Sequence, residues 1–466
     1  MRRPHLFTAI ASALLLMAGN TAYAQNNTTQ PIDAELSALI SELNLTGNPA
    51  KGIQIPSIQS PKAQLGMKLF YSKTLGGDQT TACVSCHHPV LGGGDALSLP
   101  IGVGSVNPEV LGPNRVMKKD EMVSVPRNSP TTFNVALWKQ HMFHDGRVKR
   151  LDKYSISTPD VKHDQGDPLA GDNLVQAQAR FPITSMEEMR GEYMKGSYNQ
   201  TLRRGLTERL QDNWEKSFRV AFKDHDSPIR DVVNEQNVSV AISEYERSQL
   251  FIKNSWSEYV EGNTQAISEQ AKRGAALFFK TQANGGADCA SCHSGDFFSD
   301  EQFYNTAMPQ IGEGKIAETK EDLGCYSITG AEDDKYQFRT PSLLNVEVTG
   351  PWGHSGAYQT LEGVTAHMLN PKKAVRSYDM GQLKQKGIDL EHTRKHTADA
   401  LMANVDIKPM PNQAKQDVKD LVSFMKTLTD PCVKSRECLS PWIPDQNSND
   451  PDNNMLHGLR KAGQRL

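Results

Sequence analysis

Two short segments among the 466 residues carry most of the chemistry: Cys83-Val84-Ser85-Cys86-His87 and Cys289-Ala290-Ser291-Cys292-His293. In each, two thiols three positions apart can add to the vinyl groups of a haem while the adjacent imidazole reaches the iron. Chance would place only about 0.003 such motifs in a chain of this composition. Paired CxxC can also hold zinc, but a zinc site has no use for a His after both pairs. The spacing therefore predicts two covalently bound c-type haems, with His87 and His293 as proximal ligands. His88 cannot point at the same iron as its neighbour and is expected at the surface.

Proximal ligands alone do not separate an electron carrier from an enzyme. The sixth iron position does, because a Met there raises the potential and an open position admits peroxide. In the second half, Thr360–Met368 reads as a helix following the Gly353-His354-Ser355-Gly356 turn. Either Met368 or His367 could cap the second iron, and on spacing alone Met368 could equally be a core residue.

The elements that must position these groups come in two sets. Leu65-Gly66-Met67-Lys68-Leu69-Phe70 precedes the first motif as Arg273-Gly274-Ala275-Ala276-Leu277-Phe278 precedes the second. Arg127-Asn128-Ser129-Pro130 through Asn134-Val135 is echoed by Arg339-Thr340-Pro341 through Asn345-Val346, and Phe143-His144-Asp145-Gly146 by Gly353-His354-Ser355-Gly356. Helical periodicity recurs at 33–45, 61–71, 236–252 and 413–427, and strand alternation is scarce. These patterns predict a mostly α fold of two related domains, each built around one CxxCH, over residues 25–255 and 256–430.

The first 24 residues, with Arg2-Arg3, a short apolar run and Ala22-Tyr23-Ala24, read as a cleaved signal peptide, which predicts export to the periplasm. Its removal takes the net charge from -3 to -5, which argues against nucleic-acid binding. No later stretch is apolar enough to span a membrane. Cys432 and Cys438 are close enough for a disulfide loop outside the cytoplasm, and Cys325 reads as a buried free thiol. The polar stretch 155–171 is expected to be a loop. Residues 431–466 read as an extension that is partly disordered, because 445–466 is rich in Asn and Asp.

From about residue 60 to 430 these ordered motifs resemble the bacterial di-haem cytochrome c peroxidase family, which includes MauG. The resemblance implies two cytochrome c-like helical domains, each with one covalently bound c-type haem, the first haem meeting hydrogen peroxide and the second accepting electrons from a small periplasmic cytochrome c or cupredoxin. It implies that His87 ligates the peroxidatic iron, that Glu188 is the acidic residue beside peroxide, and that His293 and Met368 ligate the second iron. It further implies a calcium between the domains, held by the Asn128 side chain and the Thr349 and Pro351 carbonyls, and a homodimer. A Glu in an apolar haem pocket holds its proton to higher pH, as peroxide cleavage needs.

The chain departs from the family in two places. Gly102-Val103-Gly104-Ser105 stands where many members carry a His that blocks the resting peroxidatic iron, so the first haem is expected to be five-coordinate or water-bound, with His141, Met117, Met122 and Met142 as possible substitutes. His144 stands where the family has an inter-haem tryptophan; Trp138, six residues earlier, reads as a core residue and a poorer bridge. The functions that follow are a peroxidase, a MauG-like enzyme that oxidises a partner protein, or a di-haem electron carrier.

Overall fold

A computed structural model describes residues 31–316, 318–411 and 413–466, so the signal peptide expected at 1–24 lies outside the described residues. The described chain is built mainly of helices. They are α1 (Pro31–Glu42), α2 (Pro61–Tyr71), α3 (Leu174–Gln178), α4 (Asn199–Gln211), α5 (Glu215–Phe222), α6 (Ile229–Val232), α7 (Glu235–Arg247), α8 (Ser255–Val260), α9 (Glu269–Phe279), α10 (Tyr326–Thr329), α11 (Leu361–Leu369), α12 (Pro371–Arg376), α13 (Thr393–Met402) and α14 (Lys415–Lys426). Two small antiparallel sheets complete it: β1 (His141–Met142), β2 (Val148–Arg150) and β3 (Ile156–Ser157) in one, β4 (Phe303–Tyr304) and β5 (Phe338–Arg339) in the other.

The helices begin where their capping residues dictate. Ser60 accepts from the Ala63 amide ahead of Pro61, Ser268 from the Ala271 amide, Asn234 from the Asn237 amide and Thr360 from the Gly363 amide. Each cap satisfies an amide that the first turn leaves without a partner.

The sequence repeat becomes a repeated helix crossing. A Cβ on Gly66 of α2 would lie 1.8 Å from the Ala241 carbonyl oxygen of α7, and one on Gly274 of α9 would lie 1.9 Å from the Asp420 carbonyl oxygen of α14. Only glycine permits backbones to approach so closely. The next neighbours, Tyr245 and Phe424, correspond as well, each with its Cβ 2.9 Å from the added atom. Asn134 and Asn345, the echoed asparagines, both adopt left-handed backbone with φ of 61° and 63°. Both donate their side-chain amide to the carbonyl of Phe251, at 3.1 and 2.9 Å, so the two repeats meet at one residue.

Around the first crossing, Phe70, Leu202, Leu206, Trp214 and Phe218 form one core; around the second, Trp256, Phe278, Phe298 and Phe424 form another. Buried charges join the halves. Arg127 pairs with Asp145 and with Asp322, each at 2.6 Å, and all three side chains are almost fully enclosed.

Two expectations are corrected at the C-terminal end. The segment 445–466 is packed: Met455, Leu456 and Leu466 join the first core, and the Leu456 amide donates to the Tyr71 carbonyl. Its polar residues make turns and bonds instead of disorder. Asp450 accepts from the amides of Asp452 and Asn454, and Asp452 accepts from Thr74 Oγ1 and Trp214 Nε1. Consequently His88 is not at the surface. It is fully buried, with Gly458 of the tail alongside, and its Nδ1 accepts from the Val90 amide to cap the next turn. Cys432 and Cys438 do form a disulfide, and Cys325 is a buried free thiol. The stretch 155–171 contains the short strand β3 but is otherwise irregular, and its Asp160 and Asp167 pair with Arg180.

Candidate active site

A cavity opens over the first CxxCH motif, and Cys83, Cys86, His87, His144, Glu188 and Glu246 are among its lining residues. The motif follows α2 as a single tight turn, Cys83–Ser85, and His87 comes just beyond it. His87 Nδ1 lies 3.2 Å from the Gly93 carbonyl oxygen, and His293 Nδ1 lies 3.1 Å from that of Phe298. Donation from Nδ1 to a carbonyl fixes the ring and leaves Nε2 as the lone-pair nitrogen, which is how a proximal histidine is presented to a metal.

The donor chemistry fits haem better than zinc. Burial pushes the Cys83 and Cys289 thiols up to about 12, so all but a trace is neutral thiol near pH 7. Among the described residues no three His, Cys, Asp or Glu side chains converge on a metal position. The four motif cysteines are unpaired with one another, as thioether attachment requires. Three cations face the same cavity: Arg127, already paired with Asp145 and Asp322, and Arg147 and Lys315. The latter two also reach Asp145, at 3.1 and 3.5 Å, and burial brings Lys315 down to about 8. They are suited to the carboxylates of a bound haem.

Glu188 enters the cavity from Met186–Arg190, a wide π-type turn that Ser185 starts by accepting from the Glu188 amide. Such turns recur at functional sites because they re-aim a side chain. Burial drives the Glu188 carboxyl above its ordinary value, while Arg147 and Lys315 pull the other way. The segment at Gly102 lies directly behind it. A Cβ there would come within 2.1 Å of the Glu187 carbonyl oxygen, and the Val103 amide donates to that same oxygen. Ser105 is the nearby residue that replaces the family histidine in sequence, and its buried Oγ has no partner. His141, Met117, Met122 and Met142, the proposed substitutes, are not among the cavity-lining residues.

His144 lines the cavity, and its Nε2 donates to the Asn128 carbonyl at 3.1 Å. Burial holds it neutral, at about 3. Its own carbonyl accepts from the Arg339 amide of the second half. Trp138, read as a core residue, packs at the margin of the core formed by Val148, Leu174 and Phe181. It is half-buried, meets Phe297 edge-on at 4.8 Å and lies 3.4 Å beneath the Arg339 guanidinium. Phe297 immediately precedes the residue that orients His293, so Trp138 stands beside the second motif.

On α11, His367 is fully buried with both ring nitrogens engaged, whereas the thioether of Met368 is partly buried beside Met308 and Tyr358. Asn128 gives its side-chain NH₂ to the carbonyls of Leu97 and Ser98, leaving Oδ1 for another partner. Its amide donates to the His354 carbonyl, which brings it to the stretch that also holds Thr349 and Pro351.

Sequence reading missed Glu246, Lys315 and the Asp145–Arg127–Asp322 chain. Glu246 had a signal available: the crossing that equates Tyr245 with Phe424 equates Glu246 with Met425.

Residues 60–265 match the sequence profile of the family described as di-haem cytochrome c peroxidase. Over a longer stretch the chain is similar to curated proteins named MauG and cytochrome c peroxidase. Among individual relatives, the methylamine utilization protein MauG of Methylorubrum extorquens is 27% identical over 432 residues, covering 90% of this chain and 94% of that one. Cytochrome c551 peroxidase of Pseudomonas aeruginosa is 26% identical over 313 residues, 67% of this chain and 73% of that one. The fold is shared with a MauG-like protein associated with microbial copper homeostasis, at TM-score 0.55, 22% identity and coverage of 84% and 97%. It is shared also with the diheme peroxidase BthA from Burkholderia thailandensis, at TM-score 0.52, 19% identity and coverage of 82% and 89%.

Proposed function

We propose that this protein reduces hydrogen peroxide to water in the periplasm, using electrons from a small cytochrome c or cupredoxin. It would do so through two c-type haems, one in residues 25–255 and one in 256–430. The observation that carries this reading is the shared cavity of His87 and Glu188. When bound, the first haem supplies the iron that takes peroxide and the electrons that split its O–O bond.

The residues do the rest. His87, oriented through Gly93, presents Nε2 to the metal. Glu188, kept protonated to higher pH by burial, moves a proton from one peroxide oxygen to the other, so that the leaving oxygen departs as water. His144 and its hydrogen bond to Asn128 lie between this cavity and the second half, where His293 and Met368 hold the electron-accepting haem. Asn128 Oδ1 with the Thr349 and Pro351 carbonyls holds a calcium; three uncharged oxygens need waters to complete such a shell. Association as a homodimer belongs to the same reading. Among the described residues no helix is long and apolar enough to cross a membrane.

A MauG-like oxidation of a partner protein is the second reading, favoured by the greater span of the MauG match. Met368 leans towards the peroxidase, since a Tyr there would point to MauG. Peroxide consumption measured with a reduced cytochrome c or cupredoxin separates them. Sustained donor oxidation supports the peroxidase, and negligible turnover beside oxidised residues on a partner protein overturns it.

A further inference from the structure

The cavity holds a second carboxyl that the chemistry above does not use. Glu246, near the end of α7, is 7% exposed, and its Oε2 is buried with no hydrogen-bond partner. Burial is the one influence on it and pushes the group up to about 8.

No neighbour compensates it. On its own helix, Tyr245 gives its hydroxyl to the Trp442 carbonyl, and from α2 the Tyr71 hydroxyl turns to the same oxygen. From α3 and its flank, Arg180 is tied to Asp160, Asp167 and Glu235, and from α4, Arg203 is tied to Asp160 and Glu235. The neighbouring turn brings Cys83, which carries no charge as a buried thiol or as a haem thioether. The rest of the cavity wall carries Glu188, His144, Arg127, Arg147 and Lys315; all three cations pair with Asp145, and Arg127 with Asp322 as well. The repeat sharpens the contrast, because the corresponding residue in the second half is Met425, an apolar side chain packed in a core. The half that carries the first CxxCH places an unpaired carboxyl in its cavity wall.

We propose that Glu246 is the redox-linked proton site of the first haem, taking up one proton when that haem gains an electron and releasing it when the electron leaves. An electron added to a pocket of low dielectric is costly unless a positive charge follows it. The oxidised haem with ionised Glu246, one electron and one proton give the reduced haem with the neutral acid, so charge balances. The inference rests on the haem-binding reading and extends it.

The test is a spectroelectrochemical titration of the holoenzyme between about pH 5 and about pH 9, resolving the two haems. The first haem of the wild type should become harder to reduce as pH rises, its redox equilibrium shifting by up to tenfold per pH unit, while the second haem stays flat. Glu246→Gln should abolish the slope and Glu188→Gln should keep it. A slope that survives Glu246→Gln, or that vanishes in Glu188→Gln instead, overturns the proposal. Should the Gln variant fail to fold, Glu246→Met, the residue of the other repeat, is read in the same way. Two haems with a pH-independent first potential sink this proposal alone. Fewer than two attached haems would take down the underlying reading with it.

Discussion

The hydroxyl of Tyr358 lies 2.9 Å from Nδ1 of His367, and the other ring nitrogen, Nε2, lies 2.8 Å from the Thr306 carbonyl oxygen. With Nε2 donating to a carbonyl and Nδ1 accepting from a phenol, His367 has no lone pair for iron. Sequence left His367 and Met368 as alternatives; this bonding favours Met368. Met368→Ala should therefore remove the low-spin signature of the second haem. His367→Ala should preserve that signature while lowering stability by about 1–3 kcal/mol, because the Tyr358 hydroxyl loses its partner. Optical spectra and melts of the two variants check this.

Glu188→Gln keeps size and polarity but holds no transferable acid proton. Both haems should remain attached, and peroxide turnover should fall by about 10²–10⁴-fold, the range for a lost general acid–base group. Steady-state assays with haem quantification decide it, and wild-type turnover in the variant would refute the assignment.

The crossings at Gly66 and Gly274 have no room for a methyl group, since the added atom would overlap a backbone carbonyl. Gly66→Ala and Gly274→Ala should each cost about 1–3 kcal/mol or more through overpacking. Alanine at Gly52, whose added Cβ would meet nothing within 4 Å, is a weaker control because its φ of 78° adds strain; denaturant midpoints rank the three.

The ion pair to Arg127 holds the Asp322 carboxyl at about 2, below its ordinary 3.8. A depressed carboxylate contributes stability that is present above its unfolded value and lost as pH falls through the folded one. Asp322→Asn should therefore cost about 3 kcal/mol at neutral pH, where it leaves a buried cation short of a partner. The gap to wild type should narrow as pH drops from about 4 to about 2. Chemical denaturation across that range measures it.

Much of this architecture was legible because it is periodic. The stripes at 61–71 and 413–427 became α2 and α14, with α14 two residues later at its start and one earlier at its end. The echoed asparagines at 134 and 345 became a shared junction at Phe251. What escaped reading depends on contacts between distant segments. Asn- and Asp-rich composition suggested disorder at 445–466, yet three apolar residues there find a core formed by residues far earlier in the chain. The same tail buries His88, which spacing alone sent to the surface. Glu246 is one of several charges in the helical stripe at 236–252, and the cavity is what distinguishes its face. Lys315 lies far from the first motif in sequence and reaches its cavity through the fold.

A resting-state EPR spectrum of the oxidised holoenzyme, repeated after peroxide is added, tests most directly whether the two irons are unequal. The first haem should show a high-spin signal that peroxide alters, and the second a low-spin signal set by His293 and Met368. Two low-spin signals, each saturated by protein ligands and unchanged by peroxide, would contradict the account.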